Sequence, residues 1–469
     1  MDKKVMIIAI IAVVAVAAAG VAVVMMGSHG SNDGNGKIVG NTIAEADFPN
    51  KDSRLWVYGN ANEDDKIDNA DVTYLEDIIA GTKTATRLAD ANADGKVNSA
   101  DVDYLKLIIG ATADTKLDVY YIDNYFKVAK VSWPVKNIAT TYCSGVYTCE
   151  VTGLTGKVRM VDDTIATYWA KLNSTLQSAT SLGSTETPNY EKIMEGKIDV
   201  YIPGYCDSNA DVESPKKLNP AGIDVMFMNT CDNSGVSYPN EYIDRSIVMF
   251  GYLLQGDMTK TYQYLAWHDG ILNEVKTKAA TLAENEKGAL IMSRNAPSYI
   301  TTGQYSITGK DNTNLIHADW AGVYSVGQHH SILSKNYNTL TAEQIYTVLY
   351  DTKTAGYSDL YWIDNEHDGL RGQRDLDVTV ASWKAIIDEG TSASMPNMHY
   401  LGMAREAGNS PMYVLEMVFY MNVMHPGLLD TGYEYDTLFN QFINNFATEK
   451  AKYDAAGVDI DNFFKSYTL

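Results

Sequence analysis

Two twelve-residue segments of the chain, 60–71 and 90–101, carry oxygen-bearing side chains at the same five positions. Positions 1, 3, 5, 9 and 12 hold Asp or Asn, and position 7 offers its backbone carbonyl oxygen. The candidate ligands are Asn60, Asn62, Asp64, Lys66 (carbonyl), Asp68 and Asp71, and then Asp90, Asn92, Asp94, Lys96 (carbonyl), Asn98 and Asp101. This is the ligand order of calcium loops, in which six to eight oxygens surround the ion. The sequence therefore predicts two Ca²⁺ sites.

Each loop runs directly into a predicted helix, 71–79 after the first loop and 101–109 after the second. Apolar residues recur there at i, i+3, i+4 and i+7, the pattern of one buried helix face. No helical pattern precedes either loop. This duplicated loop-then-helix, over about residues 55–112, resembles a dockerin, the small all-α calcium module that docks onto cohesin domains. The resemblance implies a cohesin-like partner, but loop positions 10 and 11, where dockerins carry their recognition residues, leave that partner open.

The first loop departs from the dockerin pattern at two positions. Asn60 stands where an Asp is usual, and Asp65 replaces the Gly that eases the sharp turn at position 6. Since Gly tolerates a positive φ at little cost, we expect the first site to be the weaker one. A pair of acidic turns that bind no metal is the alternative interpretation.

The N-terminal residues 5–26 form an almost uninterrupted run of Val, Ile, Ala and Met after two lysines. As a helix this run would be about 33 Å long, enough to cross a bilayer. The lysines predict a cytoplasmic N-terminus. We thus expect a cell-membrane anchor at 1–27 and a flexible spacer at 28–54, with the bulk of the chain extracellular. A cleaved signal peptide is the alternative, and it also places the rest outside the cytoplasm.

The composition limits the partners and suggests disulfides. A net charge of −22 over 469 residues argues against nucleic acid as a partner. The four cysteines could be oxidised outside the cell, and we expect Cys143–Cys149 and Cys206–Cys231 bridges, although four cysteines permit three pairings.

Residues 118–469 alternate strand and helix patterns, which predicts an α/β fold with parallel sheets. Apolar runs predict strands at 136–142 (followed by a Cys-Ser-Gly turn), 197–203, 222–228, 288–292 and 358–363. Helical spacing predicts helices at 190–196, 258–282, 412–424 and 433–446. The long helix at 258–282 separates two alternating sets.

This order of elements resembles the substrate-binding proteins of iron-complex and cobalamin ABC importers, in which one long helix joins two Rossmann-like lobes. The segments 136–139, 188–200, 252–257 and 415–426 match local phrases of that family in the same order. The resemblance implies a first lobe at 118–257, a linking helix at 258–283 and a second lobe at 284–469. It also implies capture of a metal chelate (ferric siderophore, haem or corrinoid) for an ABC permease, without catalysis.

Ligands of open α/β sheets bind at the carboxyl ends of the strands, which supplies the candidate chelate-binding residues. They are Tyr142, Ser144, Tyr147, Tyr205 and Asn229 in the first lobe, and Arg294, Tyr299, Trp320 and Trp362 in the second. The Arg294 guanidinium suits carboxylate or hydroxamate oxygens. The alternative for any one tyrosine is an ordinary loop position, since the chain has 32 of them.

His329 is a further candidate, because two of the eight histidines are adjacent at 329–330. His317 or Asp319 could complete a metal site with it, and a solvated loop is the alternative. An extracellular enzyme or adhesion component that uses the dockerin is the competing function. As an enzyme it would need two catalytic carboxylates, for which Asp364 and Glu366 are the available pair.

Overall fold

The computed structural model describes residues 23–24, 37–204, 209–228, 243–294, 303–365, 380–381, 383–384, 396–458, 461 and 463–467. It divides the chain into two units, Met1–Pro134 and Val135–Leu469. Both units contain a hydrophobic core with fully buried side chains.

Unit 1 is built around the two predicted loop-then-helix repeats. Its elements are β1 (Val23–Val24), α1 (Asn69–Ile79), β2 (Lys96–Val97), α2 (Ser99–Ile109), β3 (Leu117–Ile122) and β4 (Val128–Trp133). The two helices bury equivalent positions, so that Leu75 and Leu105 are both fully enclosed in one core. Both predicted helices are therefore confirmed, and each starts two residues earlier than expected.

A β-hairpin completes unit 1, which differs from the expected all-α module. Strands β3 and β4 pair antiparallel over six residues each. The outer side of β3 is bound to the segment before the first loop, because the Tyr58 N–H donates to Tyr120 O (2.9 Å) and the Ile122 N–H donates to Trp56 O (3.0 Å). An isolated hairpin is marginal in water, and these bonds attach this one to the loops. The structure thus places the boundary after Pro134, where the sequence prediction starts the first lobe at residue 118.

The predicted membrane segment lies outside the described residues apart from Val23 and Val24. The structure places these two in a strand, paired antiparallel with Lys96–Val97, where the sequence predicts helix. Among the described residues, no helix is both long enough and apolar enough to cross a bilayer.

The first lobe of unit 2 contains a five-stranded parallel sheet of order β7-β6-β5-β8-β9. Its strands are β5 (Ile138–Thr140), β6 (Val158–Val161), β7 (Thr180–Ser181), β8 (Val200–Ile202) and β9 (Asp224–Val225). Its helices are α3 (Tyr142–Val151), α4 (Ser174–Ser178), α5 (Tyr190–Glu195), α6 (Asn209–Leu218) and α7 (Ile243–Leu253). The predicted strands are present but shorter, and the predicted Cys-Ser-Gly turn is instead the first turn of α3.

The linking helix α8 (Met258–Ala279) is confirmed. Its N-cap is Asp257, whose carboxylate accepts the Lys260 N–H at 3.0 Å. Its buried face includes Tyr264, His268 and Val275.

The second lobe contains a seven-stranded mixed sheet of order β13-β11-β10-β14-β15-β16, with β12 beside β10. The strands are β10 (Ala289–Arg294), β11 (Tyr305–Thr308), β12 (Tyr324–Ser325), β13 (Tyr337–Leu340), β14 (Asp359–Asp364), β15 (Asn397–Met403) and β16 (Phe464–Tyr467). The helices are α9 (Thr313–Trp320), α10 (Val326–His329), α11 (Ala342–Thr354), α12 (Arg405–Gly408), α13 (Tyr413–Met424), α14 (Tyr435–Phe446) and α15 (Lys450–Ala455). Strands β10, β14 and β15 are parallel, whereas β11, β13 and β16 are antiparallel to their neighbours.

The C-terminal segment is a second connection between the lobes. The Tyr453 hydroxyl, on α15, donates to Glu150 Oε2 (2.9 Å) of the first lobe. Just before α15, the Glu449 carboxylate accepts the N–H (2.7 Å) and the hydroxyl (2.9 Å) of Ser174. The chain then returns to the second lobe as β16, beside β15. The two lobes are therefore joined at α8 and again by this returning segment.

The predicted Cys143–Cys149 bridge is wrong, because both residues lie on α3 with buried thiols that form no disulfide. Six residues of helix separate them by about 9 Å along the axis, which is beyond the Cα separation that a disulfide spans. The predicted Cys206–Cys231 bridge lies outside the described residues.

A candidate ligand-binding cleft and two candidate calcium loops

Tyr142 stands at the carboxyl end of the central strand β5, in the left-handed backbone conformation (φ +69°). Its N–H donates to Asp162 Oδ2 at 2.5 Å, and Asp162 also accepts the Thr164 and Ile165 N–H groups. Burial raises the pKa of Asp162 above its usual value, and these N–H donors oppose that rise. Asp162, at the end of β6, thus fixes the backbone of Tyr142 in a strained turn.

Tyr142 meets the second lobe through α12 and the residue that follows it. Asn409 Nδ2 lies 3.4 Å from the Tyr142 hydroxyl, and the Arg405 guanidinium carbon lies 5.6 Å from the centre of the Tyr142 ring. The Cys143 thiol donates to Asn409 O at 3.4 Å. Because α12 directly follows β15, the carboxyl ends of β5 and β15 approach each other here. We call this region, defined by Tyr142, Arg405 and Asn409, the cleft.

Arg294 is the last residue of β10, and its guanidinium carbon lies 5.0 Å from the centre of the Tyr337 ring. The neighbouring strand β14 ends at Asp364, which is 1% exposed, and is followed by Asn365, which is 5% exposed. The Asn365 N–H donates to Ser293 O at 3.1 Å. The second lobe therefore presents a guanidinium, a carboxylate and an amide at adjacent strand ends.

Three predicted ligand residues lie in the core instead. Ser144 is fully buried and donates to Gly204 O (2.8 Å), and Tyr147 packs within α3 against Phe442. Trp362 is inside the second sheet, with its ring stacked on Trp383 and its Nε1–H donated to a core hydroxyl. Ser144 and Tyr147 are buried on α3, and Trp362 is buried on β14, so none of the three side chains is exposed at a strand end.

Trp320 and His329 lie on other surfaces of the second lobe. Lys276 Nζ, on the linking helix, lies 3.8 Å from the centre of the Trp320 ring. His329 stacks on Tyr324, with Nε2 3.6 Å from Asp319 Oδ2. His317, its other suggested partner, is buried and bonds Glu416 instead, so the two histidines do not share a site.

Four of the predicted residues, Tyr205, Asn229, Tyr299 and Glu366, lie outside the described residues. Sequence reasoning missed Asp162, Arg405 and Asn409. Arg405 could have been found from the sequence, because it directly follows the apolar run 400–404. That run contains the carboxyl end of β15, where ligands of open α/β sheets bind.

The second loop holds its acidic side chains inside a ring of backbone N–H groups. Asp90 accepts the N–H groups of Asp94 (3.0 Å) and Gly95 (2.8 Å), and Asp101 accepts those of Asn92 (3.2 Å) and Asn98 (2.8 Å). Gly95 has φ +85°, the turn that position 6 of a calcium loop requires. Asp90 and Asp101 are both fully buried.

The first loop is closed differently. The Asn60 side-chain amide donates to two backbone carbonyl oxygens, Leu55 O (2.7 Å) and Asp64 O (2.5 Å). The equivalent residue of the second loop, Asp90, instead accepts hydrogen bonds from two backbone N–H groups. Asp65 is not in the left-handed region, and its carboxylate instead accepts the N–H (2.6 Å) and Nε–H (3.1 Å) of Arg54. The position 12 carboxylate, Asp71, keeps the bonds that Asp101 makes.

Burial raises the pKa of Asp90 to about 7 and that of Asp71 to about 6. These buried carboxylates have lost the water that would stabilise their charge. A bound cation or a proton would compensate for that loss. The donor set, all oxygen, fits a hard divalent ion. The residues of both loops are thus compatible with Ca²⁺, and the second loop has the better geometry.

No protein-family model matches the chain, and no curated protein matches it in sequence. Solved structures do match, at low sequence identity. A TroA-like periplasmic binding protein, FepB from Veillonella parvula, has a TM-score of 0.53 at 11% identity, and the match covers 70% of this chain and 95% of that one.

Two further structures are similar to the same extent. The molybdate periplasmic binding protein MolA from Haemophilus influenzae, bound to molybdate, has a TM-score of 0.53 at 12% identity, covering 70% of this chain and 97% of that one. CeuE from Helicobacter pylori, with Ni(II) bound, has a TM-score of 0.50 at 14% identity, covering 73% and 99%. At these identities the likeness concerns the fold alone. The mixed α/β unit 2 thus has a two-lobed TroA-like periplasmic binding fold.

Proposed function

We propose that this protein is an extracellular solute-binding protein that captures a metal chelate and presents it to an ABC permease. The observation that carries this proposal is the cleft itself. Tyr142 of the first lobe faces Arg405 and Asn409 of the second, at the carboxyl ends of strands β5 and β15. Open α/β sheets bind their ligands at such strand ends.

The fold supports a binding role. Two of the three similar structures, FepB and MolA, are periplasmic binding proteins, and two were solved with a metal species bound, molybdate in MolA and Ni(II) in CeuE. Two connections between the lobes, α8 and the returning C-terminal segment, favour small changes in lobe orientation on binding. Lobes that move little on binding suit a rigid ligand.

The cleft chemistry supports an anionic, oxygen-rich ligand. Arg405 lies beside an aromatic ring, and Arg294 stands at another strand end. A guanidinium binds carboxylate, catecholate or hydroxamate oxygens with two parallel N–H bonds. Tyr142 and Asn409 add a hydroxyl and an amide for the ligand edge. We therefore place a ferric siderophore first among the chelates, ahead of haem and corrinoids.

The test is a binding titration of the full chain with ferric enterobactin, ferrichrome, haem, cobalamin and molybdate. Tryptophan fluorescence and visible absorbance would report occupancy. We expect saturable one-to-one binding of one class, weakened about 10- to 100-fold by Arg405→Gln, because a hydrogen bond to a charged group contributes about 1.5–3 kcal/mol. Arg159→Gln is the matched control, since Arg159 is exposed and its guanidinium donates to two local carbonyl oxygens, those of Gly156 and Val158.

Absence of binding across all five probes would refute the proposal. Equal affinity of the Arg405→Gln and Arg159→Gln proteins would place the ligand elsewhere than the cleft. Turnover of a polysaccharide would instead favour the extracellular enzyme.

We further propose that residues 55–112 form a calcium-dependent docking module with a cohesin-like partner. The duplicated loops and their common core support this, and the contrast between Asp90 and Asn60 supports a weaker first site. Ile79 (46% exposed) and Leu107 (56% exposed) are large hydrophobic side chains on α1 and α2. Such exposed residues suit a protein partner, and pull-down of a cohesin domain with and without a calcium chelator would test it.

The N-terminal anchor remains part of the proposal. A transmembrane helix at residues 5–26 would hold the receptor at the cell membrane beside its permease. Membrane fractionation of the full chain, compared with a chain lacking residues 1–27, tests the anchor. N-terminal sequencing of the mature protein separates it from a cleaved signal peptide.

A further inference from the structure

A cluster of one histidine and two carboxylates is formed by residues of helices α7 and α8. Asp244 belongs to the first turn of α7, and His268 and Asp269 are adjacent in the middle of α8. One ligand atom from each of the three lies within 4.8 Å of the other two. The cluster therefore joins a helix of the first lobe to the linking helix.

The distances within the cluster match those between the ligands of one metal ion. His268 Nδ1 lies 3.2 Å from Asp269 Oδ1 and 3.6 Å from Asp244 Oδ1. Two ligand atoms of a tetrahedral ion with bonds near 2.0–2.2 Å are separated by about 3.3–3.6 Å. The two distances from His268 Nδ1 therefore fit a shared ion, and carboxylate oxygens of Asp244 and Asp269 lie within 4.8 Å of each other.

The surroundings of His268 argue against a simple ion pair with a charged imidazole. The side chain is fully buried, and Nε2 has no hydrogen-bonding partner among the described residues. A doubly protonated ring would bury a charged N–H there without an acceptor, which is costly. A neutral ring protonated at Nδ1 can donate to only one of the two carboxylates, and a ring protonated at Nε2 turns the Nδ1 lone pair toward both of them. A divalent cation at Nδ1 would bind the imidazole and both carboxylates at once, with the proton of the neutral ring on Nε2.

Neighbouring aromatic side chains hold the cluster in place. The Tyr413 hydroxyl is hydrogen-bonded to Asp244, and its ring lies edge-on to His268, with ring centres 5.0 Å apart. The Tyr264 ring lies on another side of His268, at 5.7 Å. A hydrogen bond that orients a ligating carboxylate is a usual feature of protein metal sites. Tyr413 begins α13, so the second lobe also contributes to the cluster.

We propose that Asp244, His268 and Asp269 bind a divalent transition-metal ion, with Zn²⁺ or Mn²⁺ as the fitting ions. One imidazole nitrogen with two carboxylates suits these ions, whereas Ca²⁺ prefers oxygen ligands alone. Asp269 is about one-third exposed, which leaves solvent access for remaining coordination positions. The site is separate from the chelate cleft, and its occupant would crosslink α7 to α8 where the linking helix passes between the lobes.

The test uses the purified full chain, stripped of metal and then saturated with Ca²⁺ so that the calcium loops are filled. Zn²⁺ is titrated against a competing chromophoric chelator, and Co²⁺ absorbance reports the ligand set. We expect one Zn²⁺ per chain and a higher melting temperature with Zn²⁺. His268→Phe and Asp269→Asn should each abolish both effects, and Asp269→Asn covers the event that the buried substitution fails to fold.

His399→Gln is the matched control. His399 Nε2 also pairs with a carboxylate, Asp359 Oδ1 at 3.1 Å, but belongs to no three-ligand group among the described residues. It should leave the Zn²⁺ stoichiometry unchanged. Absence of Zn²⁺ and Mn²⁺ binding in the native protein, or binding that survives in Asp269→Asn and folded His268→Phe, would overturn the proposal. Either result would leave the chelate titration unaffected, since that depends on Arg405.

Discussion

Glu150 provides a direct test of how the C-terminal segment is held to the first lobe. Its carboxyl group is buried on α3 and accepts a hydrogen bond from the Tyr453 hydroxyl of α15. Burial raises its pKa from 4.5 to about 7, although Tyr453 and the positive charge of Lys260 oppose that rise. The ionised form is therefore less stable in the folded chain than in the unfolded chain.

The sign and size of the effect follow from proton linkage. Between pH 4.5 and about 7 the folded protein retains a proton that the unfolded chain releases, so stability falls as the pH rises through this window. Each pH unit contributes about 1.4 kcal/mol, so about 3 kcal/mol is lost by pH 8. Glu150→Gln keeps an acceptor for Tyr453 without a charge, and should be more stable than the native protein at pH 8 but not at pH 4.

The assay is urea unfolding of unit 2, followed for native and variant proteins between pH 4 and 8. The difference in unfolding free energy between the two isolates Glu150 from other titrating groups. Tyr453→Phe is the opposing variant, because losing the donor raises the pKa of Glu150 further and should deepen the fall in stability. A difference between native and Glu150→Gln proteins that stays constant across this pH range would refute the reasoning.

Three other outcomes are expected. Asp90→Asn should weaken the tighter of the two Ca²⁺ affinities about tenfold or more, whereas Asn60→Asp should strengthen the weaker one, as measured by calorimetry; equal native affinities would contradict this. Trp362→Phe should destabilise unit 2 by about 1–3 kcal/mol through lost stacking and a lost hydrogen bond, measured by urea unfolding, with the chelate affinity unchanged. Cys143 and Cys149 should react with an alkylating agent only after unfolding, even without reductant, because both thiols are buried and unbridged; mass spectrometry of the peptides would show a bridge if one existed.

The repeats and the long helix could be predicted because their signals are local. The helices after each loop follow from apolar spacing, and the helix predicted at 258–282 follows from apolar residues at helical spacing between 265 and 282. The sequence analysis does not assign the hairpin to unit 1, because the apolar patterns of β3 and β4 also fit the first strands of the following α/β domain. The bonds of β3 to Trp56 and Tyr58 assign it to unit 1.

Site residues were harder to predict because the direction of a side chain depends on the exact end of a strand. Tyr142 was found because β5 ends two residues before it, whereas Ser144, two positions later, is already turned into α3. Arg405 lies more than 260 residues from Tyr142 in sequence, and no local pattern joins them. Their proximity depends on the packing of two lobes, which a single sequence without homologues does not reveal.

The returning C-terminal segment also has a consequence for how the protein is made. The first lobe obtains Tyr453 and Glu449 only from near the end of the chain, so a ribosome must synthesise almost all of unit 2 before that lobe can close. Until then the buried carboxyl of Glu150 lacks its tyrosine. The first lobe therefore completes these contacts only when synthesis of the chain is nearly finished.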